Sequence, residues 1–148
     1  MRQRITVFAG LLSLFVAQSA LGHATIWPKE SMVSAFEKYT IRIPNEKESP
    51  TVRIEAEFPP EVTVYFFKVA PGWTVEHHKN ADDRIIGATW NGGSIGSSQF
   101  AEFSLMALNS PEVVTFARKV VQIHLDGSRS EWVGDRDAEN PAPITMVK

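Results

Sequence analysis

The sequence contains no cysteine. Disulfide bonds, zinc fingers and thiol chemistry are therefore excluded, and the folded chain depends on its apolar core alone. An excess of basic residues is also lacking, because 15 lysines and arginines face 17 acidic residues. This balance excludes a basic surface of the kind that binds nucleic acid or anionic membranes. No long apolar run follows the first 22 residues, which predicts a soluble domain.

The one long apolar run has the organisation of a secretory signal peptide. The start MRQR carries two arginines, and the apolar stretch ITVFAGLLSLFVA follows it. A membrane span needs about 20 apolar residues, so an uncleaved anchor is the less favoured alternative. Small residues at the first and third positions before the cut place cleavage after Gly22 and make His23 the new N-terminus. Cleavage after Ala24 satisfies the same rule and would remove the histidine.

Cleavage after Gly22 divides the chain into three parts. Residues 1–22 are the signal peptide, residues 23–134 are one domain, and residues 135–148 are expected to form an extended or frayed tail. Without the leader and its two arginines, 13 basic and 17 acidic side chains remain, a formal charge of −4. We expect a periplasmic or secreted protein with no membrane span after cleavage and no nucleic-acid partner.

Alternation of apolar and polar residues predicts an all-β domain. In KYTIRIP and TVRIEAEF every second side chain is apolar, which is typical of strands with one buried face. Further strands are predicted over residues 62–70, 73–79, 84–90, 100–108, 113–125 and 128–133. Turn-forming clusters such as NGGSIGSS separate most of them, and Asp126-Gly127 predicts a tight hairpin. About seven or eight short strands indicate a two-sheet sandwich of the immunoglobulin or fibronectin kind.

Most of the histidines have an ordinary structural explanation. His77 and His78 are adjacent on a predicted strand, so their side chains point to opposite faces and do not share a metal ion. His124 lies in an apolar strand, where a hydrogen-bonded core or edge histidine is expected. The sequence shows no nucleophile elbow and no recognisable acid–base pair. We therefore do not expect an enzyme.

His23 differs because cleavage after Gly22 would give it a free α-amine. The amine and the ring Nδ1 can then bind one metal ion in a six-membered chelate ring. Their ordinary pKa values, about 7.7 and about 6.5, allow both to lose a proton near neutral pH. Two neutral nitrogen donors in one plane suit tetragonal Cu(II), which binds most tightly in the divalent series. On composition alone, a histidine that begins the mature chain by chance is the simpler explanation.

Several segments, in order along the chain, resemble one protein family. They are HATIWPKES, EKYTIRIPNEKESPTVRIEAEFP, VAPGWTVE, ATWNGGSI, FAEF and IHLDGSRSEWVG. They are similar to the YcnI-like family of bacterial extracellular or periplasmic copper-binding domains, over residues 23–134. The resemblance implies an exported β-sandwich whose mature N-terminal histidine, here His23, binds one Cu(II) in a one-histidine version of the histidine brace. It also implies that Trp132 lies beside the metal.

The resemblance further implies a carboxylate ligand and a place in the cell envelope. Glu102, in FAEF, is the best match to the acidic position of the family, and Glu30 is the alternative closer to His23 in sequence. Many family members carry a C-terminal membrane helix or a further domain. We expect neither here, and therefore a free periplasmic protein. The expected partners are a copper ion and a copper donor or acceptor protein in the envelope.

Two classes of function remain open from the sequence. The first is copper handling, meaning capture, delivery or buffering of Cu(II) outside the cytoplasm. The second is a metal-free envelope module that presents its loops to a protein or glycan partner. Oxidative catalysis ranks third, because copper monooxygenases of the brace type place a second histidine on the metal and none is assigned to that position here.

Overall fold

The structure, a computed structural model, describes residues 22–148, so the predicted signal peptide lies outside the described residues apart from Gly22. Regular structure in the described part of the chain consists of twelve β-strands. In chain order they are β1 (Thr25–Trp27), β2 (Glu30–Ser31), β3 (Phe36–Asn45), β4 (Thr51–Glu57), β5 (Val62–Phe67), β6 (Thr74–Lys79), β7 (Ile85–Ile95), β8 (Gln99–Asn109), β9 (Val114–Ala117), β10 (Val120–His124), β11 (Arg129–Trp132) and β12 (Ile144–Val147).

The strands form two large sheets and one small sheet. The first large sheet has the order β1-β3-β8-β5, and the second has the order β11-β10-β4-β7-β6. Every pairing within these two sheets is antiparallel. In the small sheet, β12 pairs antiparallel with β9 and parallel with β2. The prediction of an all-β sandwich is confirmed, although the strands are more numerous and several are shorter than expected.

The core contains the apolar faces of the large sheets. On β3, Tyr39, Ile41 and Ile43 are fully buried, whereas the residues between them are wholly or partly exposed. Trp90 from β7 meets Phe103 from β8, with ring centroids 5.2 Å apart. Each such large side chain stabilises the fold by about 1.5–3 kcal/mol when it leaves water. The alternation in the sequence therefore specifies which face of β3 is buried.

The predicted hairpin at Asp126-Gly127 joins β10 to β11. Gly127 has a φ of 84°, a left-handed conformation that side chains with a Cβ adopt only at a cost. The Asp126 carboxylate accepts hydrogen bonds from the backbone N–H of Ser128, at 2.9 Å, and from its hydroxyl, at 2.6 Å. The turn sets a register in which Val120 pairs with Trp132. A local turn signal thus determines where Trp132 lies.

The single strand predicted over residues 113–125 is two strands in different sheets. β9 belongs to the small sheet and β10 to the second large sheet. The chain crosses between them at Arg118, whose backbone N–H donates to the Pro143 carbonyl at 2.9 Å. The buried guanidinium of Arg118 lies over the rings of Tyr39 and Phe116, 4.1 and 4.5 Å from their centroids. An apolar run in the sequence does not show that its chain changes sheets.

The glycine-rich segment 91–98 is mostly strand and only partly turn. β7 continues to Ile95, and the chain turns over residues 96–98. A Cβ added to Gly93 would overlap the indole of Trp73. At Gly93 the glycine therefore permits close packing of an aromatic ring on the strand, and the prediction that the whole segment is a turn is wrong.

The prediction of an extended or frayed tail over residues 135–148 is wrong for its last part. Residues 144–147 form β12, which pairs with both β9 and β2. Thr145 and Val147 are fully buried, and the Thr145 hydroxyl donates to the Pro28 carbonyl at 3.3 Å. The packed domain therefore continues beyond residue 134. β12 is held in place because it pairs with two strands and because one of its faces is buried.

Candidate metal centre

His23 lies directly before β1, the strand at one edge of the first large sheet. Ala24 is 3% exposed and Ile26 is fully buried, so both side chains anchor the start of this strand in the core. β1 pairs with β3 in a register that places Thr25 opposite Arg42. His23 itself is half-buried. Its imidazole is therefore held at the margin of the core while part of it stays accessible.

Trp132, the last residue of β11, places its ring beside this histidine. The centroids of the His23 and Trp132 rings are 5.4 Å apart, and the ring planes are tilted by 52°. Trp132 is only 9% exposed, and its Nε1–H donates to the Oε1 of Gln122 at 2.6 Å. The indole N–H is thus used within the core, and Trp132 meets His23 through its ring atoms.

Gln122 connects Trp132 to the first large sheet. Its side-chain amide donates to the Pro44 carbonyl at 3.1 Å and to the Thr51 hydroxyl at 3.0 Å. Thr25 on β1 pairs with Arg42 on β3. The same antiparallel register, continued by two residues in each chain segment, places Pro44 opposite His23. Because Gln122 is buried and all its polar atoms are paired, it fixes the orientation of the indole.

Glu46 lies against the residue that precedes His23. A Cβ added to Gly22 would overlap the carboxylate of Glu46, so this carboxylate lies beside the α-carbon of Gly22. The antiparallel pairing explains the contact, since residues that follow β3 meet residues that precede β1. Glu46 escapes detection in the sequence because IPNEKESP reads only as a polar separator between two strands. A prediction that β1 pairs with β3 would have placed Glu46 near the residues before β1.

The two carboxylates predicted as ligands lie in other surroundings. Glu102 is on β8, two strands from β1, and its carboxylate lies 3.6 Å from the guanidinium of Arg42. Neighbouring strands are about 4.8 Å apart, so about 10 Å of sheet separates β8 from β1. Glu30, on β2, forms an ion pair with Lys148. The Glu46 carboxylate lies against Gly22, the residue that precedes His23.

The other histidines have the structural surroundings that their sequence positions suggested. His77 stacks on Phe67, with ring centroids 5.9 Å apart and an interplanar angle of 9°. His78 lies on the opposite face of the same exposed strand, β6. His124 is 2% exposed, and its Nδ1 is 3.2 Å from the Ser49 carbonyl. Burial lowers the pKa of His124, which favours the neutral ring in the core.

Positive charge lines the space next to His23. A cavity of about 180 Å³ is bounded by His23, Lys29 and Arg136, together with aliphatic residues of segment 141–144. Burial, and to a smaller extent the neighbouring Arg42, lower the pKa of Lys29. A larger cavity, of about 580 Å³, lies over the outer face of the second large sheet and does not include His23. The cavity next to His23 is therefore small and cationic.

The side chains near His23 alone supply too few donor atoms for a copper ion. The set fits copper only when the main-chain nitrogen of His23 also binds the metal. Within residues 22–148, no group of three or more histidine, aspartate and glutamate side chains is arranged to hold a metal ion. The available donors are the imidazole of His23, the nitrogen of the same residue once its peptide bond is cleaved, and the carboxylate of Glu46. Nitrogen and oxygen donors in small number match a tetragonal Cu(II) site.

Taken together, the fold and the site define an immunoglobulin-like β-sandwich with a half-buried histidine at the start of its first strand. The chain belongs to the family described as a domain of unknown function, DUF1775, whose model matches residues 23–147. The resemblance to the YcnI-like family is confirmed. The matched region begins at His23 and includes β12.

Known relatives agree with this assignment. The copper-binding protein CutI of Bacillus subtilis (strain 168) is 35% identical over 136 residues, which are 90% of this chain and 66% of that protein. This chain therefore corresponds to just under two thirds of that relative. The crystal structure of an uncharacterized protein from Nocardia farcinica, described as an immunoglobulin-like fold, has a TM-score of 0.72 at 24% identity and covers 84% of this chain and 97% of its own.

A more distant structure shares the fold alone. The non-cellulosomal cohesin from the archaeon Archaeoglobus fulgidus has a TM-score of 0.53 at 8% identity, with 85% of this chain and 90% of that one covered. No helix long and apolar enough to cross a membrane occurs among the residues that the structure describes.

Proposed function

We propose that this protein binds one Cu(II) ion through His23 after removal of residues 1–22. The α-amine and the Nδ1 of His23 supply two nitrogen donors, Glu46 supplies an oxygen, and Trp132 lines the site. The protein would capture or deliver copper outside the cytoplasm, in the periplasm or as a secreted protein, and would not act as an enzyme.

The contact between His23 and Trp132 carries this proposal. The first side chain of a chain that ends freely in solvent is not expected to contact a buried indole. The centroids of the His23 and Trp132 rings nevertheless lie 5.4 Å apart. Gln122, on the neighbouring strand of the same sheet, accepts the indole N–H and donates to the Pro44 carbonyl on the first large sheet, which holds the indole in that position. Two comparisons support the proposal: the Bacillus subtilis relative is named a copper-binding protein, and the family match starts at His23.

Glu46 strengthens the proposal by its charge. A carboxylate beside a nitrogen donor attracts a metal cation. Because the amine and the imidazole bind copper only without their added protons, copper binding should weaken on acidification. The Glu46 carboxylate lies against Gly22, the residue before His23.

The first prediction concerns copper uptake by the protein isolated from the cell envelope. Intact mass should show a chain that begins at His23, and titration followed by electron paramagnetic resonance should show one Cu(II) with nitrogen hyperfine structure. His23→Ala should weaken binding by more than the roughly 10–100-fold cost of losing an outer-sphere partner, because the chelate ring is lost. Glu46→Gln should weaken binding by at least this roughly 10–100-fold, because a neutral amide replaces a charged donor of the metal. One extra residue placed before His23 should act like His23→Ala.

The control for this experiment is His78→Ala, which removes an imidazole from the exposed strand β6. Its copper stoichiometry and spectrum should equal those of the parent. A mature chain that begins at Thr25, or copper binding that is equally strong after His23→Ala, would contradict the proposal. The metal-free binding module would then be the better account of the fold.

A further inference from the structure

The cavity beside His23 has the lining of an anion site. Its polar walls come from Thr25, Lys29 and Arg136 in addition to His23, and no acidic residue of the described chain lines it. Neither Lys29 nor Arg136 forms an ion pair within residues 22–148. Two cations therefore border one small space without a protein carboxylate to balance them.

Lys29 is held in place by an aromatic ring. Its Nζ lies 5.0 Å from the centroid of the Trp27 ring, and the guanidinium carbon of Arg42 lies 5.8 Å from the same centroid. Of these two cations only Arg42 has a carboxylate partner, Glu102 at 3.6 Å. Like charges held this close repel each other, and the pKa of Lys29 is lowered by burial and by Arg42. An anion in the cavity would offset this repulsion.

The size and the remaining walls of the cavity indicate a carboxylate. A volume of about 180 Å³ is several times the roughly 30 Å³ that one water occupies in the liquid, so an anion with a few carbon atoms fits. The aliphatic wall from segment 141–144 favours an anion that carries methylene groups over a fully hydrated inorganic ion. Lysine and arginine are the side chains that bind carboxylates by charge-assisted hydrogen bonds.

We infer that this cavity binds a small free carboxylate, held by Lys29 and Arg136, whose oxygen occupies a coordination position of Cu(II) on His23. The inference rests on the proposed function for its copper part. The amine and ring of His23 together with Glu46 supply three donors, which leaves one position of a tetragonal site open. The cavity that adjoins the imidazole is the place from which a fourth donor can reach the metal.

Malonate titration of the copper-loaded mature protein tests the inference. Malonate should change the paramagnetic resonance spectrum of the single Cu(II) while the nitrogen hyperfine structure from His23 remains. Lys29→Gln and Arg136→Gln should keep one Cu(II) per chain, but each should raise the half-saturating malonate concentration about tenfold, because each removes one charged donor. Lys119→Gln is the matched control, since Lys119 lines the larger cavity on the other sheet, and it should leave the malonate response unchanged.

The outcomes separate the inference from the proposed function. An equal malonate response in the parent, Lys29→Gln and Arg136→Gln, with copper uptake intact, would overturn the inference and leave the proposed function standing. Absence of copper uptake before any malonate is added would remove the proposed function and the inference with it. In the copper-free protein, malonate should shift the amide resonances of Ala142 and Ile144, the two cavity-lining residues of segment 141–144 that have an amide N–H. A shift of the same size in both variants would also overturn the inference.

Discussion

Trp132 is a core side chain that also borders the proposed site. Its ring is 9% exposed, and its N–H is satisfied by Gln122, as in a packing residue. The same ring lies 5.4 Å from the imidazole of His23. Core burial and a position beside the proposed metal are therefore compatible. The two roles are separated by how the protein responds to copper, because burial alone predicts no such response.

Trp132→Phe should reduce the quenching of tryptophan fluorescence by one equivalent of Cu(II), because the indole nearest the ion is gone. The variant should also lower the free energy of unfolding by about 1–3 kcal/mol, since the buried Oε1 of Gln122 loses its donor. Copper titrations followed by fluorescence and chemical denaturation measure the two effects.

Trp27→Phe is the control for this prediction. Trp27 is close to His23 in sequence, but it is 45% exposed and lies at the far end of β1. The two residues are four positions apart, which corresponds to about 13 Å of extended chain. Trp27→Phe should therefore leave most of the quenching in place. If both variants quench as the parent does, Trp132 has only its packing role.

At the scale of elements, the hairpin of β10 and β11 determines where Trp132 can lie. The backbone N–H of His124 donates to the Ser128 carbonyl, which closes a three-residue loop over residues 125–127. The resulting register pairs Val120 with Trp132 and leaves the indole beside the His23 ring. Gly127 enables this turn through its positive φ. A Cβ at this position would meet no heavy atom within 4 Å. The cost of a substitution at Gly127 is therefore conformational and not steric.

Gly127→Val should lower the free energy of unfolding by about 1–2 kcal/mol, because a β-branched residue is strained in the left-handed region. Gly127→Asn should cost much less, since asparagine tolerates positive φ. Thermal or urea denaturation of the pair measures the difference. Equal costs for valine and asparagine would show that lost backbone conformation is not the cause.

At the scale of the whole molecule, buried polar groups link the sheets. The buried guanidinium of Arg118 donates to the Thr145 hydroxyl on β12, in the small sheet, at 3.3 Å. His124, at the end of β10, contacts the Ser49 carbonyl and, at 3.0 Å, the Ser130 hydroxyl. Burial lowers the pKa of Arg118 to about 10, so the guanidinium stays charged at neutral pH. For His124 the same effect makes global stability depend on pH.

The free energy of unfolding should fall as the pH drops below about 6.5, the ordinary pKa of histidine. Burial keeps His124 neutral in the folded protein to a lower pH. Below the ordinary pKa, the unfolded chain therefore binds a proton at His124 that the folded protein does not bind. Stability is therefore highest above pH 6.5 and declines toward the folded-state pKa, with a slope of at most about 1.4 kcal/mol per pH unit. Urea denaturation between pH 7.5 and pH 5.5 measures it.

His124→Asn tests the source of this slope, because asparagine can donate to Ser49 but does not titrate. The variant should be less stable at every pH and should show a smaller decline on acidification. His78→Asn, on the exposed strand β6, should keep the decline of the parent. A slope that is unchanged by His124→Asn would assign the acid sensitivity to other groups.

The sequence by itself determined the features that are encoded locally. Period-2 alternation predicted the buried face of β3, and Asp126-Gly127 predicted the hairpin that joins β10 to β11. The resemblance of ordered segments predicted the pairing of His23 with Trp132 before any geometry was known. Each of these signals depends on neighbouring residues or on a run of matched segments.

Only the tertiary structure decided which distant residues meet. Period-2 alternation is the same whichever strand lies alongside, so the sequence could not show that Glu46 would lie against Gly22. Nor could it show that the Glu102 carboxylate, which the family resemblance places at the metal, would lie 3.6 Å from the guanidinium of Arg42. The strand formed by residues 144–147 depends likewise on two partners remote in sequence. Pairing between strands is a non-local property, and it sets the surroundings of His23.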